Sequence, residues 1–313
     1  MEIPAFLYIY KKNTMEAIRN FNQLTQHIID NGKRKRIAVA CPHDSHSADA
    51  IKLATERGIA TFTLFGDEAK MKGLGCFDNL PVTMVHEPDC DRAAALAVKA
   101  IRDGEADILM KGSINTDNIL KAILNKEQGI LPKGNVLSHV TVMEVPGREK
   151  LIFMSDVAVI PYPSFEQKQQ MIKYVLKCCR DFGIERPKLG LIHFTEKVNP
   201  KFPNSTDYVQ LAAMARDGEF GDCVLDGPID VRTAFDDETA RIKGINSPLG
   251  GDADGLIFPN IESGNVFYKT MTYFCHAEIA GVVLGAQCPV VIASRGDSIV
   301  SKYSSIALAC AIS

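Results

Sequence analysis

Two short polar segments, each directly behind an apolar run, hold residue types that can manage an anion and a proton together. Ser294-Arg295-Gly296-Asp297 follows the run 289–293, and Lys111-Gly112-Ser113 follows 107–110. A guanidinium such as Arg295 can grip a phosphate with two parallel hydrogen bonds, and a carboxylate such as Asp297 can take a proton. A hydroxyl such as Ser294 can donate to developing negative charge. Lys111, Gly112 and Ser113 can cradle a phosphate through backbone and ammonium group, although their spacing is not that of the G-x-x-x-x-G-K-[ST] loop. Each segment also has a plain structural reading. Asp297 or Ser298 can cap a helix whose apolar face is Ile299, Tyr303, Ile306 and Cys310. Asn265 stands before a helical stretch at 266–276, so it reads first as an N-cap and second as a substrate contact.

These segments need a scaffold that gathers strand ends. Short apolar runs at 37–41, 61–65, 83–85, 107–110, 189–193, 223–225, 255–258 and 289–293 alternate with stretches of helical period such as 91–103 and 166–182. That alternation predicts βαβ units, hence an α/β fold of mostly parallel sheets with helices on both faces. Runs at 136–143 and 150–154 flank Pro146-Gly147 and break the alternation as an antiparallel hairpin. The hairpin marks the start of a second lobe, giving residues 1–135 plus 282–313 as the first lobe and 136–281 as the second. In open α/β sheets ligands bind beyond the carboxyl ends of strands. There the sequence places His43-Asp44, Lys111-Gly112-Ser113, Thr195-Glu196, Asp226-Gly227-Pro228, Pro259-Asn260 and Ser294 to Asp297.

The chain has 313 residues, 46% hydrophobic and 23% charged, which suits a globular protein large enough for two lobes. A net charge of -3 gives no global footprint for nucleic acid or an anionic membrane. Nine scattered cysteines without a C-x-x-C pair read as free thiols in a reducing cytoplasm. The apolar run 5–10 is too short for a signal peptide, and the stretch 279–293, broken by Gln287 and Pro289, is too short for a membrane span.

Other patterns stop short of chemistry. Gly73-Leu74-Gly75 lacks the third glycine of a dinucleotide fingerprint. His43 and His46 beside Asp44 suggest a metal pair without a third ligand, and a helix-entry loop fits better. The glycine and aspartate run 250–255 reads as a turn, and Lys33 to Arg36 as a solvated edge. No G-x-S-x-G elbow or S-x-x-K pair occurs.

The joint order of these segments resembles the phosphate acyltransferases, the family of phosphate acetyltransferase and phosphate butyryltransferase. The matching stretches lie at 38–44, 109–113, 137–140, 163–168, 195–200, 226–228, 243–245, 254–259, 264–269, 294–298 and 302–308. The wording Ser138-His139-Val140, Glu196 to Pro200 and Ser294 to Ser298 is similar to the butyryl branch. The resemblance implies a two-lobed fold like that of isocitrate and isopropylmalate dehydrogenases, with the site between the lobes and a homo-oligomer built through the second. It also implies reversible acyl transfer between coenzyme A and orthophosphate, with acyl-CoA, phosphate and acyl phosphate as ligands. Coenzyme A is then a substrate, and neither cofactor nor metal is needed. Asp297 would be the base for the thiol, Ser294 a hydrogen-bond donor and Arg295 the phosphate clamp, with Lys111, Gly112 and Ser113 facing the same phosphate. Two departures remove guanidinium forks: Lys121 stands where an arginine is expected, and Pro132 to Asn135 replace an Arg-Thr-Gly-Arg run. Two rivals stay open. One is a metal-dependent decarboxylating dehydrogenase using Asp226, Asp230, Asp236 and Asp237, and the other is a non-catalytic binder of acyl-CoA or acyl phosphate.

Overall fold

The computed structural model describes residues 16–294 and 296–313. In chain order the first half comprises α1 (Phe21–Asn31), β1 (Lys35–Ala40), α2 (Ser45–Glu56), β2 (Ala60–Gly66), α3 (Glu68–Gly73), β3 (Thr83–His86), α4 (Cys90–Arg102), β4 (Ile108–Lys111) and α5 (Thr116–Ile123). Next come β5 (Ser138–Glu144), β6 (Ile152–Ser155), α6 (Phe165–Asp181), β7 (Lys188–Ile192), α7 (Pro203–Arg216), β8 (Val224–Ile229), α8 (Val231–Phe235), α9 (Asp237–Ile242) and β9 (Gly255–Ile257). The chain closes with α10 (Ile261–Phe274), β10 (Glu278–Leu284), β11 (Val290–Val291) and α11 (Ile299–Ile312).

All the described strands join one sheet in the order β3-β2-β1-β4-β11-β10-β5-β6-β9-β7-β8. Pairing is parallel except along β11-β10-β5-β6, where successive neighbours run antiparallel. The expected hairpin is β5 and β6, with Thr141 opposite Met154. The division at 281/282 falls inside β10. Sequence periodicity missed β10 because Ala280, Val282 and Leu284 pack on one face while Ile279 and Val283 pack on the other. A centrally buried strand shows no apolar-polar alternation.

The two faces of the sheet are built differently. On one, Val39, Met110, Val142, Phe153, Leu191 and Val282 belong to a single cluster covered by α1, α2, α6, α7 and α11. On the other, the core is split. Ala38, Leu109, Val283 and Val290 pack under α4 and α5, whereas Met143, Met154, Leu256 and Ile279 form a separate cluster with residues of α8 and α10.

Helix caps fix several of the strand-end loops. Asp44 starts α2 by accepting from the Ser47 N–H, and His43 Nε2 accepts from the Asp67 N–H at 3.0 Å. The His43-Asp44 pair is therefore the helix-entry loop its sequence suggests. At the core of the continuous face, Phe153 is fully buried and meets the Phe182 ring edge-on at 5.2 Å. We expect Phe153→Ala to lower unfolding free energy by about 3–5 kcal/mol, read from denaturant midpoints at unchanged slope, because the ring's cavity cannot collapse fully.

Candidate active site

The turn after β11 is held by its own polar groups. Asp297 Oδ2 accepts from the Ser294 N–H at 2.7 Å, and the Asp297 N–H donates to the Ser294 carbonyl at 3.2 Å. The cap of α11 is Ser298, whose Oγ accepts from the Ser301 N–H, so of the two capping candidates Asp297 is released to the turn. Lys302, 2% exposed, donates from Nζ to the Ser294 carbonyl at 2.9 Å and ties that turn to the first coil of α11. Arg295 lies outside the described residues.

The Lys111-Gly112-Ser113 turn sits at the end of β4, and Val291 of β11 is in register with Met110, so both segments leave the sheet side by side. Gly112 is required by close approach: a Cβ there would stand 2.3 Å from the Cys41 carbonyl oxygen. That same oxygen accepts from Ser113 N and Oγ. Lys111 is buried and donates to the Gly112 carbonyl at 3.1 Å. Lys121 is exposed on α5.

A cavity of about 180 Å³ opens where the split face has its gap. Its lining includes Ser294 and Asp297 from the α11 turn, Asn265 and Tyr268 from α10, and His139, Thr141 and Gly281 from the central strands. Lys111, Gly112, Ser113 and Lys121 are not in that lining. Asn265 lies within α10 rather than at its start; the cap is Asn260, which accepts from the Ser263 N–H. Four residues of α10 precede Asn265, so its amide is free of capping and donates to the Val157 carbonyl at 3.0 Å.

The groups that sequence reasoning passed over lie on the cavity floor. On β5, His139 and Thr141 share the face on which Leu137 and Met143 pack into the two separate clusters. Behind them Asp156, 1% exposed, accepts at Oδ2 from Ser138 Oγ and the His139 N–H, and at Oδ1 from the Ala158 and Val159 N–H groups. Gly264 keeps α10 against this loop, since a Cβ there would stand 2.3 Å from the Asp156 carbonyl oxygen. Burial pushes the Tyr268 hydroxyl pKa up, and the Asp297 charge adds to that. The available signal was polar: a histidine and an aspartate set in strand-forming apolar runs are expensive unless partnered.

The four acidic candidates of the metal reading have other duties. Asp230 caps α8 and receives Lys243 Nζ, which also reaches Glu196. Asp236 caps α9, Asp237 pairs with Arg241, and Asp226 accepts from the Ser247 hydroxyl. Among the described residues no three His, Cys, Asp or Glu side chains stand together as a metal site. No described helix is long and apolar enough to cross a membrane.

The family profile for phosphate acetyl/butaryl transferase matches residues 80–310, which carry every cavity residue named above. The chain belongs to this family of acyltransferases. It is 37% identical over 298 residues to the phosphate butyryltransferase of Clostridium acetobutylicum, spanning 94% of this chain and 98% of the relative. It is 36% identical to the phosphate acetyltransferase of Thermotoga maritima, spanning 88% and 95%. A crystal structure of a branched-chain phosphotransacylase from Enterococcus faecalis superposes with a TM-score of 0.78 at 28% identity, covering 89% of this chain and 98% of that one.

Asp156 offers the sharpest structural test of this floor. An asparagine would turn an NH2 group toward two donors whichever way it sat. Asp156→Asn should destabilise the protein by about 1–3 kcal/mol in denaturant unfolding. It should also lower activity of the folded fraction, since His139 loses its anchor.

Proposed function

We propose that this acyltransferase moves a butyryl-sized or branched acyl group reversibly between coenzyme A and orthophosphate. The observation that carries this reading is the cavity in the split face, which brings the Ser294 hydroxyl and Asp297 carboxylate together with an apolar wall of Val157, Ile279 and Ile292. The polar side suits a carbonyl and phosphate, and the apolar side suits a short tail. Acyl-CoA, phosphate and acyl phosphate are the ligands, and coenzyme A serves as substrate rather than cofactor.

In the direction from acyl phosphate, the thiol loses its proton as sulfur meets the carbonyl carbon, and the C–O bond to phosphate breaks. The thiol pKa of about 8.5 makes that proton a barrier at neutral pH. Asp297 is the carboxylate assigned to draw off that proton, and Ser294 donates to the developing oxyanion; its Oγ accepts from the Gly296 N–H at 3.4 Å, leaving its own O–H to donate. Arg295 is assigned as the phosphate clamp, with Lys111, Gly112 and Ser113 at the neighbouring strand end. Holding two substrates in one cavity supplies much of the rate. The exposure of Lys121 favours at most a contact with the outer part of coenzyme A.

The split core supports two lobes that close on the cavity, as in the isocitrate and isopropylmalate dehydrogenase arrangement. A homo-oligomer through the second lobe is supported by the exposed Val266, Tyr273 and Phe274 of α10. A cytoplasmic setting agrees with nine free cysteines.

Phosphate-dependent release of thiol from acyl-CoA, measured in EDTA over chains of two to eight carbons, should give kcat/KM highest at four to five carbons. Each methylene in an apolar pocket is worth about 1–3 kcal/mol, so butyryl should exceed acetyl by at least tens-fold. A maximum at acetyl overturns the butyryl assignment, and loss of activity in EDTA overturns the metal-free chemistry. Asp297→Asn should lower kcat by on the order of a hundredfold with coenzyme affinity retained, measured by steady-state kinetics and direct binding. An unfolded variant whose folded fraction turns over normally would reduce Asp297 to a turn holder.

A further inference from the structure

The cavity floor holds an imidazole to which the reaction above gives no part. His139 occupies a position on β5 where an apolar side chain would join the two flanking clusters, yet it is histidine and only 8% exposed. Its placement is specific. The backbone N–H is fixed to Asp156 Oδ2 at 2.9 Å, and the ring Nδ1 meets Thr141 Oγ1 at 3.1 Å. Across the strand pair the absence of a side chain at Gly281 makes room for the ring, for a Cβ there would stand 2.8 Å from both Cε1 and Nε2. Nε2 has no hydrogen-bond partner among the described residues, and the ring lines the same cavity as Ser294 and Asp297.

Asp297 is the poorer proton acceptor of the two. One of its oxygens already accepts from the Ser294 N–H, and a carboxylate is a weak base for a thiol. An imidazole lies closer in basicity, and burial pushes the His139 pKa below the ordinary histidine value while the Asp156 and Asp297 charges pull it back up. It is therefore neutral and able to accept at neutral pH. The groups around it are Asp156 from the β6 end, Asp297 from the turn before α11, Tyr268 and Lys269 from α10 and the neutral Ser305 from α11.

We propose that His139 is a catalytic residue that takes the coenzyme A thiol proton at Nε2. The proposal rests on the acyl-transfer reading above. With Nδ1–H donating to Thr141 Oγ1, the Nε2 lone pair receives the thiol proton as the sulfur lone pair forms the C–S bond. The electrons of the acyl C–O bond leave with the phosphate oxygen, and the imidazolium returns its proton to that phosphate. The proton lost by sulfur thus ends on the leaving group, and in reverse His139 carries it from phosphate to the departing thiolate. Asp297 then acts as the charge that stabilises the imidazolium.

The test is the pH dependence of kcat/KM for butyryl phosphate and coenzyme A in the wild-type protein, His139→Asn, Asp297→Asn and Thr141→Val. Wild type should lose activity on the acid side through one ionisation at or below the ordinary histidine range. His139→Asn should lower kcat by about a hundredfold or more, abolish that limb and leave KM for butyryl phosphate within a few-fold. Asp297→Asn removes a charge that holds the imidazole pKa up, so its residual activity should keep the limb, displaced to lower pH. Should His139→Asn not fold, Thr141→Val must still move the limb, and the His139 Cε1 proton titrated by NMR in wild type must report the same pKa as the limb. A folded His139→Asn with wild-type kcat and limb, or an NMR pKa that disagrees with the limb, overturns the proposal and leaves acyl transfer standing. A wild-type protein that releases no thiol from butyryl-CoA with phosphate overturns both.

Discussion

A carboxylate with almost no access to water, Asp156, accepts from four donors, the Ser138 hydroxyl and His139 N–H of β5 and the Ala158 and Val159 N–H groups of its own loop. Burying a charge in a protein costs several kcal/mol unless its lone pairs are met, so the donors cannot be surrendered one at a time. They fix Ser138 and His139 relative to the end of β6 and, through the close approach at Gly264 and the Asn265 amide, fix α10 as well. The wall and floor of the cavity therefore share one anchor. The opposite wall is anchored independently by Lys302, whose ammonium holds the Ser294 carbonyl.

Which parts of this were legible beforehand follows from what each signal measures. The strands at 37–41, 61–65, 83–85 and 107–110 have turn signals at both ends, and the structure places strands within a residue or two of them. The pattern overreached at 289–293, where only Val290–Val291 pairs as β11 because the edge of β10 beyond it is met by α11, with Ser305 Oγ accepting from the Gly281 N–H. It gave nothing at β10 itself, whose two buried faces erase the period. Tertiary context decided both cases.

The site was legible where chemistry was declared by residue type next to a strand end, which is why Ser294 and Asp297 could be named. It was illegible where the residue was named by its neighbours in space. His139 is ordinary in sequence; it becomes informative once Gly281 is seen across the strand pair and Asp297 over it. Asn265 misled for a local reason. The chain enters α10 at Asn260, and Gly264 lies inside the helix because only hydrogen fits against the Asp156 carbonyl.

The unequal faces of the sheet have a mechanical consequence. The continuous face ties both ends of the strand order into one slab of packed side chains, while on the split face the described residues form two separate apolar clusters on either side of the cavity. Packed cores resist compression, and a gap does not. Bending therefore costs least about an axis along β10 and β5, as a book flexes at its spine, and the work of admitting a bulky ligand falls on the open page edge while the backbone ladder of the spine stays paired.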